Sequence, residues 1–351
     1  AAMRAAEAVY ACREAAGDLF DAEPERVVFT MNATHGLNIA IKTLLRAGDE
    51  AVISGFEHNA VTRPLYKLGV RANIAGRRLF DPEDTLRAFE CAVTEKTRAV
   101  ICTHVSNVFG YILPVERLAA LCRERGVPFH TDAVQAAGHL PIDVRAQSID
   151  LLSLSAHKFN GPKGAGVLYA RRDTSLVSLI EGGAQERGKR AGTENLPAIV
   201  GMAAALEEAC THMEENAARV AALRDRLIAG LSAIPHSRLN GDPIRRLPGN
   251  VSFCFEDVEG EALLLLLDAA GICASSGSAC ASGSLEPSHV LLSLGLPPEL
   301  AGSALRLSLG AENTGEEIDY LLAEIPKAIA TLRGHSPAWQ EKLRGERPFL
   351  L

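Results

Sequence analysis

The sequence lacks an apolar run that could cross a bilayer. The longest clear one, Ala262–Leu267, is far short of the ~20 residues a spanning helix needs. It also lacks a basic excess: 36 Lys and Arg against 43 Asp and Glu leave a net charge of −7. This argues against nucleic acid and anionic membranes as main partners, because each needs a basic face. There is no CxxC pair and no His/Cys cluster at zinc-finger spacing, so a metal site is not expected. The eight cysteines (Cys12, Cys91, Cys102, Cys122, Cys210, Cys254, Cys273 and Cys280) are scattered. Cys102 in RAVICTHV and Cys254 in VSFCF read as small buried core residues. The pattern suits a reduced, cytoplasmic protein and not a disulfide framework. Internal repeats, low-complexity linkers and a signal-peptide pattern are absent. So is an initiator Met: AAMRAAEAVYACREAAGDLF is already an amphipathic helix, and the chain reads as truncated at its N-terminus.

What is present is an ordinary globular composition, 47% hydrophobic against 23% charged, in 351 residues. That length suffices for two domains or one large one. The first two thirds alternate short β-rich runs with helical patterns. Strands are expected at Arg26–Thr30, Glu50–Ser54, Arg71–Ile74, Ala99–Thr103, Val127–Thr131, Leu151–Ser155 and Gly166–Tyr169. Helices are expected at Thr34–Leu45, Pro82–Ala92, Pro114–Arg125 and Asp132–Ala137. This rhythm predicts an α/β fold with a mostly parallel sheet, whose ligands bind at the carboxyl ends of the strands. From about Pro197 the texture changes. One long helical stretch, Ile199–Leu231, precedes strands at Asn250–Phe255 and Gly271–Cys273, with helices at Glu261–Ala270 and from Pro287. This part reads as a smaller α/β domain.

The segment LLSLSAHKFNGPKGAGVLY (151–169) carries the most chemistry. Ser155, His157 and Lys158 follow an apolar strand directly. A lysine at a buried strand end loses solvation, and its neutral amine becomes a nucleophile or base. A hydroxyl, an imidazole and a lysine within four residues suit a lysine Schiff base with pyridoxal 5′-phosphate (PLP). The alternative is a turn with a solvated lysine. After RVVFT, a turn opens a helix at Ala33–Thr34, whose N–H groups and dipole form a phosphate cradle. His58 in FEHNAV could stack on a planar cofactor and relay protons, or be a solvated loop histidine. Asn107 in THVSNVFG lies past a strand end, where its amide could donate to a ring substituent. Asp132 and Gln135 follow the next strand in FHTDAVQ. A carboxylate there can keep a pyridine nitrogen protonated; the competing role is a helix cap. Cys280 lies in ASSGSACASGS (274–284), a run without bulky anchors that suits a thiol required to travel. Arg306, in SALRLSLG, could fork onto a substrate carboxylate or serve a structural ion pair.

Together these segments, with GGAQERGKRAGTEN and SSGSACASGSLEPSHV, resemble the PLP-dependent cysteine desulfurases of the NifS/IscS family, in particular their class I, long-loop branch. The resemblance covers nearly the whole chain. It implies PLP fold type I (aspartate-aminotransferase-like), with a large PLP-binding domain over 1–212 and a small C-terminal domain over 213–351 that carries the catalytic Cys loop. Lys158 would form the Schiff base, with Ala33, Thr34, Ser155 and His157 on the phosphate. Thr193 would reach the phosphate of the neighbouring subunit in a homodimer. His58 would stack on the ring, Asp132 would bind its nitrogen and Gln135 its hydroxyl. Asn107 would lie beside cofactor and substrate, Arg306 would take the substrate carboxylate, and Cys280 would be the nucleophile.

The implied activity converts L-cysteine to L-alanine through a PLP ketimine and a Cys280 persulfide. The sulfur would pass to an acceptor such as an iron–sulfur scaffold protein. A selenocysteine lyase or another fold-type-I PLP enzyme, an inactive persulfide relay or assembly scaffold, and a metal or cluster bound through Cys280 with Cys273 are the alternatives. Two segments depart from the family pattern: HVSNVFG stands for the usual HVNNE(I/T)G, and His35 replaces a common acidic residue. The family also has roughly 40–50 further N-terminal residues.

Overall fold

A computed structural model describes residues 2–76, 81–277 and 287–351. They fall into two compact units, Ala1–Ser106 with Leu113–Met213, and Asn107–Ile112 with Glu214–Leu351.

The first unit is built on a seven-stranded sheet. In chain order its elements are α1 (Ala2–Phe20), β1 (Val27–Thr30), α2 (Ala33–Leu44), β2 (Glu50–Ser54), α3 (Asn59–Leu68), β3 (Arg71–Ala75), α4 (Pro82–Ala92), β4 (Thr97–Thr103), α5 (Val115–Glu124), β5 (Phe129–Asp132), β6 (Leu151–Ser155), β7 (Gly166–Ala170) and α6 (Leu196–Thr211). The strand order is β1-β7-β6-β5-β4-β2-β3. Every pairing is parallel except the two made by β7. Most strands have both faces covered: β1, β5, β6 and β7 are buried at every residue, whereas the edge strand β3 is exposed over most of its length. Ser54, Thr103, Asp132 and Ser155 are the last residues of β2, β4, β5 and β6. The parallel register therefore collects these polar ends on one edge of the sheet.

That edge receives α2. Its cap is Asn32, whose Oδ1 accepts from His35 N at 3.0 Å. Asn32→Ala is expected to cost about 1 kcal/mol, read as a lower urea midpoint. The turn ahead of α2 lies hard against β7: a Cβ on Gly166 would sit 2.5 Å from Leu154 O and 2.9 Å from Asn32 Cα. Only glycine allows that approach.

The second unit continues with α7 (Met213–Ser232), β8 (Ser237–Leu239), β9 (Asn250–Phe255), α8 (Gly260–Ala269), α9 (His289–Ser293), α10 (Pro298–Ala301), β10 (Ala304–Ser308), α11 (Gly315–His335) and α12 (Pro337–Leu343). Its sheet is antiparallel in the order β10-β9-β8. Phe253, Phe255, Leu263, Leu267, Ile318 and Ile325 fill its core. A Thr314/Glu317 capping box starts α11.

Three expected elements are corrected. The helix over Ile199–Leu231 is two helices, interrupted at His212 (φ −101°, ψ 12°), whose N–H bonds back to Glu208 and Cys210. The adjacent Thr211 and His212 are weak helix formers, which the apolar pattern conceals. Gly271–Cys273 is no strand. Gly271, at φ +75°, and Ile272 donate to Asp268 O and Leu267 O, so this stretch terminates α8. Cys273 is accordingly exposed and not in a strand. Asp132–Ala137 is not a helix: Asp132 remains in β5, and 134–139 is a run of turns. Cys102 and Cys254 are fully buried, as their apolar settings required.

Candidate active site

The first unit gathers most of the expected site residues at the strand-end edge. Ser155 is buried, and its Oγ accepts from Ala33 N at 2.8 Å, tying the end of β6 to the first turn of α2. Thr34, exposed at the second helical position, has an N–H without an intrahelical acceptor. Helix dipole and N–H groups here suit an anion. His157 and Lys158 lie on a 3-10 turn, Ala156–Lys158, held by Phe159 N and Gly161 N donating to Ala156 O. Both side chains are exposed. This corrects the expected desolvation of Lys158. The strand is buried, but the turn lifts the lysine out of it.

Asp132 is buried, and its Oδ1 accepts from Val134 N at 3.1 Å. It caps a turn where a helix cap was considered. Burial pushes its carboxyl up to about 6, against the pull of the Val134 N–H and the positive charge of Lys158. Asp132 and Lys158 thus act on one another electrostatically. Gln135 is half-buried in the following turn. His58 caps α3, its Nδ1 accepting from Ala60 N at 3.0 Å. That bond keeps the ring proton on Nε2 in the neutral imidazole. Thr193 lies in an exposed stretch before α6.

The segment ahead of Thr193 is anchored from a distance. Glu186 takes a bidentate ion pair from Arg13 of α1 at 2.8 and 2.9 Å and a bond from Phe29 N at 3.0 Å. Arg13 stacks over the Phe29 ring at 4.6 Å. Arg190 donates to Phe29 O and Gly192 O. His35 is buried, with Met31 N donating to its Nδ1 at 3.5 Å; burial, then the charge of Arg190, lower its pKa.

Asn107 and Arg306 come together in the second unit. Arg306 Nη1 donates to Asn107 O at 2.8 Å and to Gly277 O at 3.3 Å. Arg306 also exchanges backbone bonds with Ser275. Its Nη1 thus meets two backbone carbonyl oxygens. Cys280 lies outside the described residues.

Sequence reasoning passed over Glu57, Ser54 and Thr103. Glu57 is fully buried beside His58 and accepts from Ser54 Oγ and, at 2.8 Å, from Thr103 N. A carboxylate following an apolar strand was the available signal in FEHNAV. The neutral buried imidazoles of His104 and His130 were passed over as well; burial pushes them down to about 4 and about 3. His130 bonds Ser153 Oγ beneath the sheet edge at 3.0 Å.

Residues 1–321 match the Aminotransferase class-V family. The cysteine desulfurase IscS of Clostridium botulinum (strain Hall) is 45% identical over 349 residues, which is 97% of this chain and 88% of that protein. The cysteine desulfurase NifS of Azotobacter vinelandii is 42% identical over 93% of this chain and 83% of its own. A solved NifS-like protein superposes with a TM-score of 0.85 at 31% identity, covering 94% of this chain and 89% of its own. A sheet edge that sets a lysine and a buried carboxylate beside a helix N-terminus agrees with those matches, and the chain belongs to the Aminotransferase class-V family, among its NifS/IscS cysteine desulfurases.

Proposed function

We infer that this chain is a PLP-dependent cysteine desulfurase that takes sulfur from L-cysteine, releases L-alanine and passes the sulfur to an acceptor for iron–sulfur cluster assembly. The observation that carries the reading is the electrostatic pairing of buried Asp132 with Lys158 beside the Ser155-tied N-terminus of α2. This donor set fits PLP. The helix N-terminus with Ala33, Thr34, Ser155 and His157 suits a phosphate, Asp132 a protonated ring nitrogen, Gln135 the ring hydroxyl, and Lys158 an aldehyde. PLP bound there supplies an electron sink that loosens the bonds around the substrate's α-carbon and its C–S bond.

The chain's own residues do the rest. Lys158 Nζ accepts the α-proton, and His58, its proton on Nε2, covers the ring face and relays protons. Arg306 and Asn107 hold the substrate, Arg306 by its carboxylate. Cys280 Sγ attacks the substrate sulfur: an S–S bond forms, the C–S bond breaks, and the thiol proton balances the product. L-cysteine and the Cys280 thiol thus become L-alanine and a Cys280 persulfide. The active form is a homodimer in which Thr193 of one subunit reaches the phosphate held by the other. The first unit serves as the PLP-binding domain and the second carries the Cys loop. Among the described residues no helix is long and apolar enough to cross a membrane, and we place the protein in the cytoplasm. The relatives' names favour this reading over a selenocysteine lyase or an idle scaffold.

The test is alanine released from L-cysteine under reducing conditions, in parent and Cys280→Ser. Steady release from the parent and almost none from the variant is the expected result. No alanine from a PLP-loaded parent would assign it another substrate.

A further inference from the structure

Glu57 is placed where two parts of the site meet. It precedes His58 in the chain and is entirely shielded from solvent. Its Oε1 gathers the Ser54 hydroxyl and the Thr103 N–H. Those donors end β2 and β4, which are parallel neighbours in the sheet. Thr103 in turn stands in register with Asp132 on β5, and His104 N donates to Asp132 O at 2.9 Å. One carboxyl thus ties two strand ends together, with His58 on one side and the Thr103–Asp132 step on the other.

We propose that Glu57 is a positioning residue of the cofactor site: a carboxyl that keeps its proton and, as a neutral clamp across β2 and β4, holds His58 and Asp132 in place while leaving Asp132 the only carboxylate charge of the pair. The proposal rests on the reading that PLP binds in the first unit. Charge considerations agree with the geometry. Two ionised carboxyls in this buried setting would repel, and the donors to Glu57 Oε1, which favour its charge, are neutral groups that bring no counter-charge into the interior. Burial pushes Glu57 up to about 8, against the pull of the Ser54 hydroxyl and the Thr103 N–H, with a smaller upward push from the charge of Asp132. The other groups that face it are settled at neutral pH. The Cys102 thiol on β4 is raised well above its ordinary value by burial, and Asp132 lies at about 6. His104 beyond Thr103 stays neutral at about 4. His58 is on Glu57's own turn, and Lys158 acts on the pair through Asp132.

The sign of the pH effect follows. A carboxyl whose folded pKa lies above its unfolded value gives stability that is complete below the unfolded pKa and is lost as pH rises through the folded one. Between about pH 6.5 and 8 Glu57 by itself lowers the folding constant by up to about tenfold per pH unit. The buried histidines, which still titrate in the unfolded chain near 6.5, act in the opposite direction, equally in the parent and in Glu57→Gln, so the difference between the two isolates Glu57.

The test uses PLP-loaded protein. PLP affinity is measured for the parent, Glu57→Gln and Glu57→Ala, and urea midpoints are measured from pH 6.5 to 8 for the parent and Glu57→Gln. Glutamine copies the neutral carboxyl, so PLP affinity is expected within about threefold of the parent, and the downward contribution of Glu57 to the slope of stability against pH is expected to vanish. Alanine removes the clamp, and affinity is expected to fall at least about tenfold. A Gln variant as weak as the Ala variant, an Ala variant as tight as the parent, or an unchanged slope in Glu57→Gln would each overturn the proposal. If the parent itself takes up no PLP, the cofactor reading is what fails, and the slope of the unloaded protein still reports whether Glu57 keeps its proton.

Discussion

Lys158→Ala is expected to abolish alanine release from L-cysteine, by about 10³-fold or more, while leaving the fold intact. The side chain is exposed on a short turn after β6 and packs no core, so its loss opens no cavity. The turn itself is held by backbone bonds to Ala156 O. What disappears is the amine and a positive charge that acts on Asp132. Lys158→Arg separates the two. Arginine retains the charge, but its guanidinium stays protonated and offers neither a nucleophile nor a base. We expect Lys158→Arg to be as inactive as Lys158→Ala. Substantial alanine release by the arginine variant would mean that residue 158 acts through its charge alone, and the assigned chemistry would be wrong.

The second large effect concerns stability. Glu186→Ala is expected to cost about 3–5 kcal/mol in urea unfolding, because it strands the Arg13 guanidinium in the interior. The side chains of Arg13 and Glu186 are 6% and 0% exposed, so solvent cannot take over either partner. The substitution also removes the acceptor of Phe29 N. Glu186 and Arg187 adopt left-handed backbone angles, φ +49° and φ +57°, which few side chains tolerate. The contacts of Glu186 with α1 and β1 therefore hold a segment that would otherwise relax. The double variant Arg13→Met/Glu186→Leu removes both charges, and it should recover most of the loss. A single-variant cost below about 1 kcal/mol would show that the pair contributes little. Since Thr193 follows this segment by only a few residues, Glu186→Ala should also weaken PLP binding in the proposed homodimer.

The strand ends were legible because both faces of these strands are covered, and a strand buried on both faces announces itself as a largely apolar run, whether its neighbours are parallel or antiparallel. Leu151–Ser155, Glu50–Ser54 and Asn250–Phe255 match their expected limits for that reason. Asp132–Ala137 misled because alanine-rich sequence has high helix propensity, while Asp132 spends its Oδ1 on Val134 N and stays in the sheet. Glu57 and Glu186 were invisible as functional positions. Local sequence does not show that a glutamate's acceptors are filled by groups 46 or 173 residues away.

Hydrophobic periodicity and a handful of polar motifs, by themselves, determined the α/β class and which polar residues follow the ends of the buried strands. These are short-range properties: which face is apolar, and which polar residue follows a strand. Only the tertiary structure decided that Lys158 stands clear of its buried strand, that Asn107 belongs with Arg306 in the second unit, and that buried Glu57 and Glu186 brace the site's elements. Burial and electrostatic environment depend on what the rest of the chain brings alongside a residue, and that is set by packing between segments far apart in sequence.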